Sequence, residues 1–485
     1  MPTQELSIAS GFYESDSLPF NAQRCVNLIP VASESDDSSL SNRALFTPPG
    51  IKDELTATSG FSRGCQVMAG VPFFVVGNKL HSFTNNHVIS THGTIPNSDR
   101  VSMANNGSKL VIVVDTGESY VWDGSTLTQI TNTNYRLSSS VVFKDGFFVF
   151  SALDGTVFFN SALNDPLSFD ALDFGTAEIN PDKITALHVN HNELFVCGDN
   201  TIEMFQNIGG SGFPFQRIAG ANIQKGVIAK HSLVEFDNTF YFLGNGESEL
   251  PAIWAVTSSN SVKKISTSPI ESVIQNYADE DIKKSFAYSY TIDGQFIYGI
   301  TIQSQTNSRT FEYNATTSAL VGRPVWYERQ TGASDARWRA QCFVKAYGKF
   351  YVGDDRTSKI GVLDKAEFQD YGDEIIRYKT SSPFRVGKSR QIWGDLELML
   401  ETGNSITTGQ GSDAKIWMQF SDDGGRTWSN EFHRSTGKIG EYKKRVVWRR
   451  LGMVPRQRVL KIAMSDPVNW SIYGAFLNNQ LSYNQ

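Results

Sequence analysis

The chain has 485 residues, of which 40% are hydrophobic and 12% aromatic, and its 44 basic and 50 acidic residues give a net charge of −6. This length exceeds one ordinary core and predicts two or three domains, while the mild acidity excludes a surface that binds nucleic acid everywhere. No stretch approaches the roughly 18 consecutive apolar residues of a membrane helix, so we expect no membrane span.

Residues 1–62 show little regular pattern and cannot build a core of their own. Apolar anchors at 27–30 and 45–51 flank a polar run, Ser33–Ser39, which we expect to be mobile. We predict that this segment wraps the domain after it and supplies a strand that closes that domain.

Residues 63–371 repeat one unit seven times: an alternating strand, a tight turn, and a second strand that opens with aromatic or β-branched residues. The first strands are predicted at Gly64–Ala69, Arg100–Ala104, Ser138–Phe143, Ile184–Val189, Ser232–Phe236, Phe286–Ile292 and Arg339–Val344. The second strands begin at Phe73, Leu110, Phe147, Leu194, Phe240, Phe296 and Phe350. Several turns are hairpin dipeptides that favour positive φ, namely Asp145-Gly146, Asp237-Asn238, Asp293-Gly294 and Gly348-Lys349.

The second strands recur at intervals of 37 to 56 residues. This variation excludes a strict solenoid, whose stacked units share one period, and suits a β-propeller, in which insertions fall in loops. We predict an all-β fold with a seven-bladed β-propeller, with six or eight blades as the alternatives.

One stretch inside the repeats, residues 268–284, reads as a helical insertion. Ser268 suits the capping position, Pro269 the first helical position, and Glu271 completes a capping box. Apolar residues at 270, 273, 274 and 277 line one face. Such a helix either covers a blade edge or meets a partner.

Residues 372–485 lose the repeat and read as longer strands. They are predicted at Ile375–Thr380, Gly394–Glu401, Lys415–Ser421, Arg445–Gly452, Val459–Met464 and Trp470–Leu477. Antiparallel strands of this number predict a C-terminal β-sandwich domain.

Motifs that would carry enzyme chemistry are weak. The run from Ser421 to Trp428 has the form of an Asp-box, which we interpret as a structural turn. His188 and His191 are three apart, which in a strand places them on opposite faces, and no third metal ligand is evident. No GxSxG elbow, P-loop or GxGxxG after a strand occurs. We therefore predict no catalytic, cofactor-binding or metal-binding residues.

The four cysteines lie far apart in the chain, and none belongs to a CxxC pair. They are Cys25, Cys65, Cys197 and Cys342. Buried free thiols are the favoured interpretation, and the N-terminus lacks a basic region followed by an apolar run. Both features predict a protein made in a reducing compartment.

A basic stretch at 434–461 stands out from the acidic chain, with ten basic residues and a single acid, Glu441. The candidate contact residues within it are Lys443, Lys444, Arg445, Arg449, Arg450, Arg456 and Arg458. Strand alternation would place Lys444, Val446 and Trp448 on one face and Arg445, Val447 and Arg449 on the other. Contact with phosphates or an acidic partner and a solvated sheet edge are both open interpretations.

Several short segments, in this order along the chain, resemble the packaged-DNA stabilisation protein of short-tailed bacteriophages, the tail hub or nozzle factor. They are Phe46-Thr47-Pro48-Pro49-Gly50-Ile51, Ser62-Arg63-Gly64, Arg100-Val101-Ser102-Met103-Ala104, Thr201–Phe205, Ile223-Gln224-Lys225-Gly226-Val227, the predicted helix over 268–281, and Val446-Val447-Trp448-Arg449-Arg450-Leu451-Gly452.

The resemblance implies a structural virion protein of the phage tail, made in the host cytoplasm, with no catalytic residues. It implies a homohexamer below the portal and its adaptor ring, which retains packaged double-stranded DNA and forms part of the ejection channel. The implied partners are the portal-adaptor ring protein, a tail plug or needle, and tailspike or fibre proteins. A glycan-binding or glycan-cleaving propeller of a phage tail and a generic propeller scaffold are the alternatives.

Overall fold

The computed structural model describes residues 3–35, 42–177, 182–210, 212–236, 238–257, 259–332, 337–385 and 390–481. Asp237 of the predicted turn and the part of the polar run from 36 to 39 lie outside these residues. Strands dominate the described chain, and three short helices interrupt them.

The first seven strands lie in the segment before the repeats. They are β1 (Thr3–Leu6), β2 (Tyr13–Glu14), β3 (Ala22–Gln23), β4 (Cys25–Val26), β5 (Ile29–Ala32), β6 (Arg43–Phe46) and β7 (Gly50–Thr56). Apart from the β2–β3 hairpin, each of these strands joins a sheet built mainly by later parts of the chain. These early strands, apart from β2 and β3, therefore pack in sheets that later strands also form.

The repeats form β8 to β35, interrupted by helices α1 to α3. The strands are β8 (Ser62–Met68), β9 (Val71–Val76), β10 (Lys79–Phe83), β11 (Ile89–Thr94), β12 (Ser102–Asn105), β13 (Leu110–Val113), β14 (Ser119–Trp122), β15 (Leu127–Gln129), β16 (Ser138–Lys144), β17 (Phe147–Ala152), β18 (Phe158–Asn160), β19 (Phe174–Gly175), β20 (Ile184–Asn190), β21 (Glu193–Gly198), β22 (Ile202–Asn207), β23 (Phe215–Ile223), β24 (Gly226–Val227), β25 (Val234–Phe236), β26 (Thr239–Asn245), β27 (Ala252–Val256) and β28 (Val262–Lys264). They continue with α1 (Ser268–Gln275), α2 (Asp279–Lys283), β29 (Phe286–Ile292), β30 (Gln295–Ile302), β31 (Arg309–Asn314), α3 (Ala315–Val321), β32 (Trp326–Arg329), β33 (Ala340–Ala346), β34 (Lys349–Asp354) and β35 (Lys359–Asp364).

Among the described residues these strands build seven antiparallel sheets in succession: β8–β11, β12–β15, β16–β19, β20–β23, β24–β28, β29–β32, and β33–β35 completed by β7. The first strands contact one another from sheet to sheet along β8, β12, β16 and β20, and contacts continue through β21 to β24, β25 to β29, and β29 to β33. Strand β33 returns to β8, so the sheets close into a ring with these first strands innermost. The fold is the β-propeller that the repeated hairpins predict.

Strand β7 completes the last sheet, pairing antiparallel with β35 from Gly50 opposite Asp364 to Thr56 opposite Lys359. Its side chain Ile51 is fully buried. A Cβ on Gly50 would lie 2.5 Å from the Gln369 carbonyl oxygen, so the close approach of two backbones requires glycine here. A strand from before the repeats thus joins the first and last parts of the ring.

The C-terminal strands are β36 (Gln369–Asp370), β37 (Asp373–Glu374), β38 (Arg377–Thr380), β39 (Phe384–Arg385), β40 (Gln391–Leu400), β41 (Lys415–Ser421), β42 (Phe432–Ser435), β43 (Val446–Val454), β44 (Gln457–Met464) and β45 (Ile472–Leu481). One sheet has the order β43-β40-β45-β6-β5, with β1 also on β45, and the facing layer has the order β4-β38-β44-β41-β42. This confirms the predicted β-sandwich after the propeller.

The two parts of the fold share a sheet and a core. Strand β4 pairs in parallel with β32 of the sixth propeller sheet and antiparallel with β38, so one sheet runs from the propeller into the sandwich. A single apolar cluster contains Tyr288 and Trp338 of the propeller together with Trp393, Trp448 and Trp470 of the sandwich. Because apolar burial is continuous across the junction, the parts pack as one body.

The helical insertion differs from its prediction. Two short helices, α1 and α2, replace one helix over 268–284, and α3 was not predicted. Thr267 is the N-cap of α1 without a side-chain cap bond, so the predicted capping box is wrong, and the Glu271 carboxylate instead accepts a hydrogen bond from Ser266. Ile270 and Ile274 are buried as the periodicity predicts.

The hairpin turns follow the predicted chemistry with one shift in position. Asp145-Gly146 and Asp293-Gly294 have positive φ at both residues. In the last hairpin the positive φ values fall on Tyr347 and Gly348, so the predicted turn Gly348-Lys349 is wrong by one residue. Lys349 already belongs to β34, because the pairing of Ala346 with Lys349 closes a two-residue loop.

Candidate functional site

The basic stretch runs from the end of β42 through the edge strand β43 and into β44. Val446 and Trp448 are buried, and the Trp448 indole Nε1 donates a hydrogen bond to the Phe432 carbonyl oxygen at 2.6 Å. Arg449 is exposed, as the alternation predicts. Lys444 precedes the strand and is exposed, so its predicted place beside Val446 and Trp448 is wrong.

Acidic side chains already pair with part of this charge. The Arg445 guanidinium binds the Glu397 carboxylate through two hydrogen bonds, which lower the pKa of that carboxyl below its usual value. The Lys444 ammonium lies 3.5 Å from the Glu441 carboxylate. Arg449 stands opposite Asp395 in the register of β43 and β40. Part of the positive charge at this edge is therefore already compensated, which weakens its attraction for phosphates.

Arg458 is not a contact residue. Its side chain is 2% exposed, and its guanidinium donates to both oxygens of Asp422, at 2.7 and 2.8 Å. It also donates to the Leu451 carbonyl oxygen at 2.7 Å and lies 4.0 Å from the Phe420 ring centre. The predicted contact role of Arg458 is wrong because tertiary packing uses this charge inside the sandwich.

Arg456 lies in a groove with two arginines from other parts of the sequence, Arg385 of β39 and Arg426 of the Asp-box turn. This arginine groove has a volume of about 590 Å³ and is lined by Ser17, Pro19, Phe20, Arg385, Asp422, Asp423, Arg426, Arg456 and Gln457. All three arginines are exposed, and Arg385 donates one hydrogen bond to the Pro19 carbonyl oxygen at 3.1 Å. The Phe20 side chain beside them is 64% exposed.

Both acids of the arginine groove are engaged inside the protein. Asp422 binds Arg458, as described above. Asp423 accepts hydrogen bonds from the Ser421 hydroxyl at 2.6 Å and from the turn at Arg426 and Thr427, and these bonds hold its pKa well below the usual value. The groove therefore presents three arginine charges to solvent while its carboxylates point into their own partners, and it can hold phosphate or carboxylate groups.

The Asp-box is thus a structural turn, in which Gly424 and Gly425 adopt positive φ. The two histidines, His188 and His191, lie in different environments. Burial lowers the pKa of His188 to about 4, and its ring packs 4.6 Å from the Phe240 ring centre. His191 lies exposed in the following turn with φ of 52°.

The cysteines are free thiols, and Cys25, Cys197 and Cys342 are buried while Cys65 is partly exposed. Burial raises the pKa of the Cys25 thiol to about 12, and it raises that of Cys197 further. Among the described helices, none is long and apolar enough to cross a membrane.

Two models of one protein family match consecutive parts of the chain: bacteriophage P22 Gp10, β-propeller, over residues 4–367, and bacteriophage P22 Gp10, β-sandwich, over residues 380–480. The chain belongs to this family. The Gp10 family is that of the packaged-DNA stabilisation protein, so the chain is a structural component of a phage virion tail, as the resemblance implies. The matched ranges also name the two folds that the structure shows.

A search of curated proteins finds no match. Among solved structures, streptogramin B lyase is 10% identical, with a TM-score of 0.43, over 64% of this chain and 96% of that one. The computationally designed Ika8 protein is 12% identical, with a TM-score of 0.37, over 64% and 99%. BamB from Moraxella catarrhalis is 12% identical, with a TM-score of 0.35, over 67% and 96%.

Of the seven candidate residues, Lys443, Arg449, Arg450 and Arg456 are exposed and have no ion-pair partner within 4 Å among the described residues. Sequence reasoning missed Arg385 and Arg426, because each is a single arginine outside the basic stretch. The Asp-box could have indicated Arg426, since the turn holds that residue at the surface. No local signal marks Arg385, whose place depends on the pairing of β39 with β44.

Proposed function

We propose that this protein is the tail nozzle or hub of a short-tailed phage and acts without catalysis. In this proposal it assembles as a homohexamer below the portal-adaptor ring, closes that channel, retains packaged double-stranded DNA and forms part of the ejection conduit. It also carries a tail plug or needle and meets tailspike or fibre proteins. The domains are the wrapping segment 1–62, the propeller 63–371 and the sandwich 372–485.

The observation that supports this proposal is that shared β-sheets join the N-terminal segment, the propeller and the sandwich. The N-terminal strand β7 completes the ring, and β4 joins the propeller to the sandwich in one sheet. A closed ring has no long free edge and resists deformation, which suits a subunit that must bear the pressure of packaged DNA. A closed assembly of identical subunits needs heterologous contacts, for which the exposed loops and sandwich offer surface.

The axis of one propeller cannot be the DNA conduit, because side chains cross it. The Lys230 ammonium, which precedes β25 of the fifth sheet, donates to the Ser139 carbonyl oxygen of the third sheet at 3.1 Å. The Arg100 guanidinium, which precedes β12 of the second sheet, lies 4.0 Å from the Phe286 ring centre of the sixth. A duplex whose major groove alone is about 12 Å wide does not fit there. The proposed conduit is therefore the lumen between subunits.

The arginine groove is the surface that we assign to phosphate or acidic-partner contact, together with the exposed Lys443, Arg449 and Arg450. Two triple variants test this assignment: R385Q/R426Q/R456Q in the groove, and K443Q/K444Q/R445Q in the basic stretch. Each removes three positive charges, but in the second set two charges are already paired. We expect the groove set to weaken DNA retention or assembly more strongly than the stretch set.

The measurement is particle assembly and DNA retention by phage that carry each variant, with DNA binding followed against salt concentration. Each lost phosphate contact should lower the salt slope by about 0.9. Unchanged particles and unchanged salt dependence for both sets would remove this contact surface from the proposal. The hexamer is tested by mass, and release of sugars from host polysaccharide by a monomer would favour the glycan-cleaving alternative.

A further inference from the structure

A second polar cavity lies on the propeller axis, at the end where the innermost strands begin. This axial cavity has a volume of about 200 Å³ and is lined by Phe61, Ser98, Asp99, Arg100, Asp115, Lys230, His231, Lys283, Lys284, Gln303 and Gln341. These residues come from five of the seven sheets or from the segments that enter them. The cavity belongs neither to the sandwich nor to the arginine groove.

Two cations of the axial cavity are held in place by the protein backbone. Arg100 donates through one terminal nitrogen to the Gln341 carbonyl oxygen at 2.6 Å and packs over the Phe286 ring. Its Nε is buried without a hydrogen-bond partner among the described residues. The Lys230 ammonium has three donors and gives one to the Ser139 carbonyl oxygen. Both groups thus have donors left for a ligand.

Positive charge exceeds negative charge in this cavity. Four cations, Arg100, Lys230, Lys283 and Lys284, share it with the two carboxylates Asp99 and Asp115. Burial lowers the pKa of Lys230, although Asp115 and Asp99 act in the opposite direction. Burial also lowers the pKa of Arg100 to about 10, against the opposing effect of Cys342 and Cys65. Lys283 and Lys284 are exposed at the rim, whereas Arg100 and Lys230 are partly buried. Because partly buried charge is costly when it lacks a partner, an anion between Arg100 and Lys230 would offset their charge.

A third buried arginine, Arg63, directs its donors to the protein backbone and not into the cavity. Arg63 lies beside the cavity and spends its donors on the carbonyl oxygens of Gly77, Ile95, Pro96 and Asp99, at 2.7 to 3.1 Å. It fixes the loop that carries Asp99 and Arg100. The cavity is thus a rigid site, built before any ligand arrives.

We propose that the axial cavity binds one phosphate group, either as inorganic phosphate or as the terminal phosphate of a nucleic-acid strand. Its volume of about 200 Å³ accommodates a phosphate group. Arg100 and Lys230 contact the anion from two sides of the axis, and Lys283 and Lys284 approach it from the rim. The bound anion ties several sheets together, and this site does not depend on the proposed function.

The test uses the full chain in chloride buffer of fixed ionic strength, with calorimetric titration of inorganic phosphate and thermal unfolding. We expect one phosphate per chain and a saturable rise in Tm. K230Q should bind phosphate about tenfold or more weakly, since a hydrogen bond to a charged group contributes this much. K263Q is the control, because Lys263 is exposed on β28 and does not line the axial cavity.

The proposal is overturned if titration with phosphate gives no saturable heat and phosphate raises the Tm no more than chloride does. It is also overturned if K230Q and the wild type bind phosphate with equal affinity. Circular dichroism checks that K230Q is folded. If K230Q is not folded, the rim variant K283Q/K284Q replaces it in the phosphate titration, and an unchanged affinity for phosphate in that variant overturns the site. A 5′-phosphorylated oligonucleotide and the same strand without this phosphate separate the two sources. Competition by the phosphorylated strand alone supports terminal phosphate, and competition by neither supports the free ion. Equal competition by both strands overturns the assignment to a phosphate terminus or free ion, because backbone charge then explains the binding.

Discussion

Glu328 joins the N-terminal segment to the propeller, and its replacement by glutamine tests the mechanical unity of the fold. Its side chain is 1% exposed and lies between two guanidiniums. Arg24 donates to it at 2.9 and 3.0 Å, and Arg309 at 2.6 and 3.2 Å. Arg24 lies between β3 and β4, while Arg309 begins β31, so one carboxylate connects the wrapping segment with the sixth sheet.

The expected loss follows from this geometry. Removal of one partner from a buried ion pair costs about 3–5 kcal/mol, because the other charge stays buried without compensation. Here the arginines are 18% and 17% exposed and can reach water, so we expect the lower end, about 3 kcal/mol, for E328Q. E397Q is the matched control, because its partner Arg445 is 73% exposed, and its loss should be much smaller.

The same carboxylate predicts a pH dependence with a definite sign. Burial acts to raise the pKa of Glu328, but Arg24 and Arg309 lower it by more, so the pKa lies below its ordinary value of 4.5. A lowered pKa means that the stabilisation is complete above that ordinary value and is lost as pH falls through the folded pKa. The difference between wild type and E328Q should therefore be full at pH 7 and shrink below about pH 4.5.

The assay is urea unfolding at pH 7 and at acidic pH, with urea chosen because guanidinium salt would screen the pair. R24Q, E328Q and the double variant form a thermodynamic cycle. If the losses at pH 7 add without coupling, or if E328Q loses no more than E397Q, the proposed connection between Arg24 and Glu328 is refuted.

Three further predictions concern the sandwich, the ring closure and the fifth sheet. R458A should lower the free energy of unfolding by about 3 kcal/mol, whereas R456A should change it by less than about 0.5 kcal/mol, and equal urea midpoints would contradict the different roles assigned to them. I51A should cost about 2–5 kcal/mol in the same assay, because Ile51 is fully buried in the strand that closes the ring, and a wild-type midpoint would show that β7 is dispensable. G244A should fold poorly, because its Cβ would lie 1.8 Å from a carbonyl oxygen of the neighbouring strand, while G212A, with no atom within 4 Å, should yield as much soluble protein as the wild type.

Local patterns predicted most of the strands because alternation is a property of neighbouring residues. Lys415–Ser421 and Phe286–Ile292 match the structure at both ends. Predictions failed where the local sequence was compatible with two backbone conformations. The predicted turn Gly348-Lys349 required a positive φ at Lys349, but Tyr347 adopts the positive φ instead. The helix predicted over 268–284 is divided into two because Ala278 adopts an extended conformation.

The candidate site shows the limit of reading charge along the chain. Ten basic residues within 434–461 predict one contact surface, yet the structure buries Arg458, pairs Arg445 with Glu397 and turns Arg456 toward Arg385 and Arg426. Each of these outcomes depends on which acid or arginine a distant strand brings near. The local sequence around a basic residue does not determine which distant side chains lie near it in the folded chain.

The amino-acid sequence by itself determined the kind of protein: hairpins with dipeptide turns, a ring of repeats, a sandwich after it, and the family. These follow from short-range preferences, since side-chain alternation and positive φ act over two to four residues. Only the tertiary structure decided how the first and last parts meet, through β7 on β35 and β4 between β32 and β38, and which cations remain free to bind. The reason is physical: pairing and charge compensation are set by distances between atoms that the chain separates by hundreds of residues.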